Sequence, residues 1–251
     1  MKNVFTFLLL LFSLLCNGQS PKLFTTDKEL SSSLINQIYQ DRNGFIWIAT
    51  EDGLNRYDGA KFTIYKHEPN NEHSLAHNFV RTVFEDSKGH LLIGTYIGIQ
   101  MYDPATDNFT PLAKLEDTGE TLESNINSFI ERKNGEIWVS GNVLCKLDIK
   151  DHLLTVRKVD IAVTSPGSLF EDKKQNVWMA KGEEGVYQLT PDNQLTLHLS
   201  KDNGYVKSIC EDQRGNIYVG SIRKGLFIYD KERKTFVPVD LKEKGELPVC
   251  F

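Results

Sequence analysis

Short runs of alternating apolar and polar residues recur along the chain, each bounded by Gly, Asp or Asn. The clearest is a turn followed by an apolar strand, in copies at 41–50, 86–95, 132–141, 172–181 and 212–221. The fourth turn residues, Gly44, Gly89, Gly135, Gln175 and Gly215, are spaced by 45, 46, 40 and 40 residues. In the turn, Asp41, Asp86, Asp172 or Asp212 can hydrogen-bond the backbone two residues on, and a glycine tolerates positive φ. One strand precedes each turn and two more follow the apolar strand, as in 34–39, 54–58 and 61–65. No stretch of adequate length has a helical period.

Tandem four-stranded units of forty-odd residues predict an all-β fold, a β-propeller of antiparallel blades. About five blades are expected, at 34–66, 78–113, 125–159, 165–199 and 205–240, after a lead-in at 20–33. Leu247 to Phe251 repeats the opening strand of the fifth blade, so a sixth is begun, the ring is incomplete, and the chain reads as a piece of a larger protein. Trp47, Trp138, Trp178 and Tyr218 fall at one strand position, where a flat ring fills the wedge between sheets. The third copy is degenerate, with Arg132 for Asp and Val143 for Gly; the fourth has Gln175 in the glycine place.

Composition narrows the function. The 251 residues are 40% apolar and 25% charged, which excludes a disordered tail and a multi-pass membrane protein. Asp plus Glu total 34 against 29 Lys plus Arg, so direct contact with nucleic acid is not expected. Lys2 followed by the apolar run 4–15 reads as a signal peptide over residues 1–19, placing the chain in the periplasm. Cys16 leaves with it; Cys145, Cys210 and Cys250 are odd in number and sit among apolar neighbours, which reads as small core residues. Metal, cofactor and catalytic signatures do not occur, so no cofactor and no enzyme activity are expected of these residues.

Candidate binding residues come from the propeller geometry. The second position of each inner strand is Asn36, Arg81, Asn127, Gly167 or Lys207, and alternation turns these polar residues toward the axis. Loops after the second strand rise beside them, with Glu51, Asp52, Tyr96, Asn142, Glu183, Glu184, Arg223 and Lys224. This rim is the expected ligand site.

Residues 38–58 and 83–99 resemble the two-component regulator propeller repeat, and the linker 71–75 is similar to that family's inter-blade connection. The resemblance implies a periplasmic sensor of a hybrid two-component system of the Bacteroidetes type, controlling a histidine kinase phosphorelay and transcription. It also implies an oligosaccharide ligand, a homodimeric intact protein and a membrane anchor downstream. Two other classes stay open: a secreted propeller lyase or glycosidase, and a protein-binding scaffold.

Overall fold

The computed structural model describes residues 23–26, 29–199 and 204–239. The segment 1–19, Cys250 and the opening strand expected at 247 lie outside them. Five sheets form in chain order, each running from an inner to an outer strand through antiparallel hairpins. Blade one is β1 (Ile35–Gln40), β2 (Ile46–Thr50), β3 (Gly53–Tyr57) and β4 (Phe62–Tyr65). Blade two is β5 (Val80–Glu85), β6 (Leu91–Thr95), β7 (Ile99–Asp103) and β8 (Asn108–Phe109). A short β9 (Lys114–Leu115) follows in the linker, then blade three: β10 (Ser128–Glu131), β11 (Ile137–Ser140), β12 (Leu144–Lys150) and β13 (Leu153–Lys158). Blade four is β14 (Leu169–Glu171), β15 (Val177–Lys181), β16 (Gly185–Leu189) and β17 (Leu195–Leu199). Blade five is β18 (Tyr205–Glu211), β19 (Ile217–Ile222), β20 (Gly225–Asp230) and β21 (Thr235–Pro238). Inner strands β1, β5, β10, β14 and β18 pack side by side in that order, the arrangement of propeller blades. Blade three departs from four strands, because β9 pairs in parallel with its outer strand β13.

The turns hold by the expected chemistry and add one function to it. Asp41 Oδ1 accepts the backbone N–H groups of Asn43 and Phe45, while its Oδ2 accepts the indole N–H of Trp47 at 2.8 Å. Asp172 does the same for Lys174, Asn176 and Trp178. One carboxylate thus shapes the turn and fixes the ring. Blade two has Leu92 in the tryptophan place, and a ring nitrogen of His90 meets Asp86 Oδ2 at 2.7 Å instead. In blade five burial pushes the Asp212 carboxyl up, but hydrogen bonds from Asn216, Arg214 and Tyr218 outweigh it and hold the group below its ordinary value.

Blade three solves the loss of the aspartate differently. Glu136 accepts the indole N–H of Trp138 at 3.1 Å, and the Arg132 guanidinium lies 4.6 Å over the ring. The Lys146 ammonium, 2.5 Å from Glu136, is the main cause that lowers this carboxyl to about 2. The folded value lies below the ordinary one near 4.5. The stability Glu136 contributes is therefore complete above that value and is lost as pH falls toward about 2. Melting temperatures measured from pH 6 to pH 2.5 are expected to show Glu136→Gln as the less stable form at pH 6, with the gap closing below pH 4. A gap that stays constant with pH would refute this role.

The core is divided among the blade interfaces. Trp47, Ala49 and Leu54 pack against Val80, Val83 and Ile93; equivalent clusters join blades two and three, three and four, and four and five. Trp47, Trp138 and Trp178 are buried in these clusters, and Tyr218 is buried in blade five. Each interface is also bound by a carboxylate at the end of an inner strand. Glu85, Glu131, Glu171 and Glu211 accept the backbone N–H of Arg42, Ser87, Lys133 and Lys173 from the preceding blade, at 2.7–3.0 Å. Blade one carries Gln40 at this position.

The cysteines need one correction. Cys145 is a free, buried thiol, and burial pushes its pKa up to about 11. Cys210 is disulfide-bonded, with its partner outside the described residues. An odd number of cysteines excludes complete pairing, not a single bond.

Candidate ligand-binding rim

The predicted rim residues lie where inner strands begin, at the end of the blades opposite the aspartate turns. Backbone bonds there, from Glu51 to Leu34, Gly53 to Asn78 and Tyr96 to Phe79, hold the rim loops beside the segments that lead into the inner strands. The second position of the inner strand is a β-bulge, which alternation alone does not reveal. Register shifts bracket Asn36 in β1, Arg81 in β5 and Lys207 in β18. Asn127 and Gly167, just ahead of β10 and β14, give their N–H groups to Ser140 and Ala180 of the next strand. A bulge breaks the period of two and re-aims its side chain.

The re-aimed side chains divide into two groups. Asn36 donates to the carbonyl of Val80 at 2.8 Å, and Asn127 to that of Pro166 at 3.0 Å. These two amides bridge to the next blade. Gly167 has no side chain, and an added Cβ would lie 3.0 Å from the Ala180 carbonyl oxygen. Arg81 and Lys207 are the cations; Lys207 is exposed, and the Arg81 guanidinium stands 5.9 Å from the Phe79 ring centre.

The loop residues divide similarly. Asp52 is tied on both oxygens, to Lys66 Nζ at 2.7 Å and to the Asn78 amide at 3.1 Å. Glu51, Arg223 and Lys224 are exposed. Arg223 takes φ +75, a left-handed conformation that is rare outside glycine and holds the tight β19–β20 turn. Tyr96 is 54% exposed, and its ring lies 5.6 Å from His77 and 6.1 Å from Phe79. His77 Nδ1 accepts the Phe79 N–H at 2.9 Å, which fixes the imidazole beside the tyrosine. Tyr96, His77, Phe79 and Arg81 thus form an aromatic platform with a cation at its edge. Sequence reading assigns no role to His77 or Phe79. They meet Tyr96 only because Phe79 pairs with the loop after β6, a contact that local pattern does not encode.

Such a platform can stack on a flat, partly apolar ring while the cation and nearby amides take hydrogen bonds. Among the described residues no group of His, Cys, Asp and Glu is placed to hold a metal ion. Nor is any helix among them long and apolar enough to cross a membrane.

Comparison with known proteins agrees with this architecture. Residues 29–52, 74–96 and 200–223 match the two component regulator propeller family. Histidine kinase P4 of Formosa agariphila is 37% identical over 83 residues, spanning 30% of this chain and 6% of that one. The extracellular domain of a hybrid two component system from B. thetaiotaomicron superposes with a TM-score of 0.70 at 19% identity. That match covers 87% of this chain and 32% of the other. Virginiamycin B lyase from Staphylococcus aureus superposes at 0.62 with 13% identity, over 87% and 72% of the two chains. At these identities the structural likenesses establish the fold.

Proposed function

We propose that this chain, which carries two-component regulator propeller repeats, is the ligand-input propeller of an exported sensor histidine kinase. The repeat matches carry the reading, since two of them begin at the lead-in and linker of blades one and two and run into the loop after the second strand. The stretch shared with a histidine kinase supports it. The ligand is an oligosaccharide, seated on the rim with Tyr96 as its stacking surface. Arg81, Lys207, Arg223, Lys224 and Glu51 stand around the rim as polar partners. Binding biases two arrangements of a dimeric assembly, and the bias passes to a phosphorelay and to transcription.

Titration calorimetry against a panel of oligosaccharides tests this. One class is expected to give heat. Tyr96→Ala is expected to weaken that binding about tenfold, or ~1.4 kcal/mol, without lowering the melting temperature. An exposed ring contributes little to the fold, so an unchanged affinity in that variant would remove the rim from the binding reading. Silence across the whole panel would favour a protein-binding scaffold, and turnover of a polysaccharide would favour an enzyme.

A further inference from the structure

Blades two and five carry the same triplet where the inner strand enters the rim. Phe79-Val80-Arg81 and Tyr205-Val206-Lys207 are each an aromatic ring, a buried valine and a cation. The two are equivalent in register as well as in sequence. Val80 pairs with Thr95 and Val206 with Ser221, and the bulge that follows re-aims Arg81 and Lys207 alike. The other blades place Leu34-Ile35-Asn36, Asn125-Ile126-Asn127 and Ser165-Pro166-Gly167 there.

Each triplet faces one more exposed side chain across the hairpin. Tyr96 gives its N–H to the Phe79 carbonyl, and Ile222 pairs with Tyr205. Tyr205 and Ile222 are 49% and 50% exposed, close to the 54% of Tyr96. Gly182 of blade four lies against the Tyr205 ring, since a Cβ there would stand 2.9 Å from Tyr205 Cε2. The N–H of Val206 bonds the Gly182 carbonyl at 2.9 Å and holds that contact. Lys224 folds over Gly204, the residue before Tyr205, where an added Cβ would lie 2.8 Å from its Cγ. The rim therefore has a second apolar platform, three blades on from the first and also edged by cations.

What the rim leaves free for a ligand is mostly positive. Asn36 and Asn127 are engaged in bridges to the next blade, and Asp52 is held on both oxygens. Lys66 is paired with Asp52 and Lys181 with Glu184, whereas Arg81, Lys207, Arg223 and Lys224 have no anion among the described residues. No carboxylate occupies an inner-strand position of the rim among the described residues; Glu51 and Glu183 are exposed, but on loops. Neutral hydroxyls are held best by groups that both donate and accept. Ammonium and guanidinium groups only donate, and their strongest partners are anionic oxygens.

We infer that the rim selects an acidic oligosaccharide, whose carboxylate or sulfate ester groups meet Arg81 at one station and Lys207 at the other while sugar rings lie on Tyr96 and Tyr205. This rests on the rim reading above and adds to it the charge class of the sugar and a second subsite.

Titration calorimetry with three galactose-based probes tests it: a neutral galactan oligomer, an oligogalacturonide and a sulfated carrageenan oligomer. At least one acidic probe is expected to bind about tenfold or more tighter than the galactan, and which one does so identifies the anion as carboxylate or sulfate. Added sodium chloride is expected to weaken that binding severalfold. Lys207→Met and Arg81→Met are each expected to weaken it about fivefold and to flatten the salt dependence. Tyr205→Ala is expected to weaken it about as much as Tyr96→Ala. Should a variant lower the melting temperature, the probe ranking and salt dependence of the unaltered chain decide. Galactan bound as tightly as the acidic probes, or acidic binding indifferent to salt and to both methionine changes, overturns the inference and leaves the rim reading standing. So does heat from neutral members of the wider panel alone. Tyr205→Ala without effect removes the second subsite. Silence across the whole panel overturns the rim reading and this inference with it.

Discussion

Asp172→Ala is expected to lose about 3–5 kcal/mol of unfolding free energy, measured by urea or thermal denaturation. The carboxylate is buried and accepts four hydrogen bonds: the N–H groups of Lys174 and Asn176, the Asn176 amide, and the Trp178 indole at 2.9 Å. Truncation leaves these donors without their acceptor. Each buried donor left unmade costs about 1–3 kcal/mol, and water entering the opened turn offsets part of the sum. Gln175 adds to the load, because it holds φ +66 where other turns have glycine and relies on the aspartate to stay there. Asp172→Asn keeps one acceptor oxygen and is expected to cost less than half as much. A loss under about 1 kcal/mol for the alanine variant would show that the turn holds itself. Unfolding of a repeat array is not strictly two-state, so fluorescence of Trp178 and far-ultraviolet dichroism should be followed together.

Glu171→Ala is expected to cost about 3–4 kcal/mol, and the loss falls at a joint between blades rather than within one. Glu171 lies almost wholly inside the interface, with Arg132 Nε at 2.8 Å and the Lys133 N–H at 2.7 Å. Arg132 is itself mostly buried, against the Trp138 ring. Without Glu171 a buried guanidinium keeps only Glu136, at 3.5 Å, as its anion. Replacing both partners should cost less than removing the carboxylate alone, since no stranded charge remains. The double variant Glu171→Ala with Arg132→Met, compared with each single change in a denaturation series, measures that difference. If the double variant is as unstable as the sum of the singles, the pair is not coupled and the joint rests on packing.

Much of this fold is legible in the sequence because its signals are local. Alternation marks strands, the Asp-to-Gly turn marks hairpins, and a recurring tryptophan marks the face that packs. Even the departure in blade three is visible as Arg132, although its remedy is not. Glu136, Lys146 and Arg132 converge on Trp138 only after β11 and β12 have paired. The bulges are hidden for a related reason. Asn36, Arg81 and Lys207 share no single side-chain signature, because the bulge is set by backbone register with the second strand. The parallel addition of β9 to β13, and the meeting of His77 with Tyr96, likewise depend on which segments the ring brings together. At the rim, the meeting of Tyr96 with His77 and Phe79 is a product of packing that local pattern does not encode.

The glutamate joints all sit at the turn end, and the rim lies at the opposite pole. The molecule therefore separates mechanical from chemical labour along its axis. Charged lashings at one pole carry load between sectors, so those rim side chains at the other that make no bridge to the next blade, such as Tyr96, can be exchanged without slackening the joints. A scaffold of this kind can be retuned to new surfaces while the way it strains, and what it strains against, stays the same.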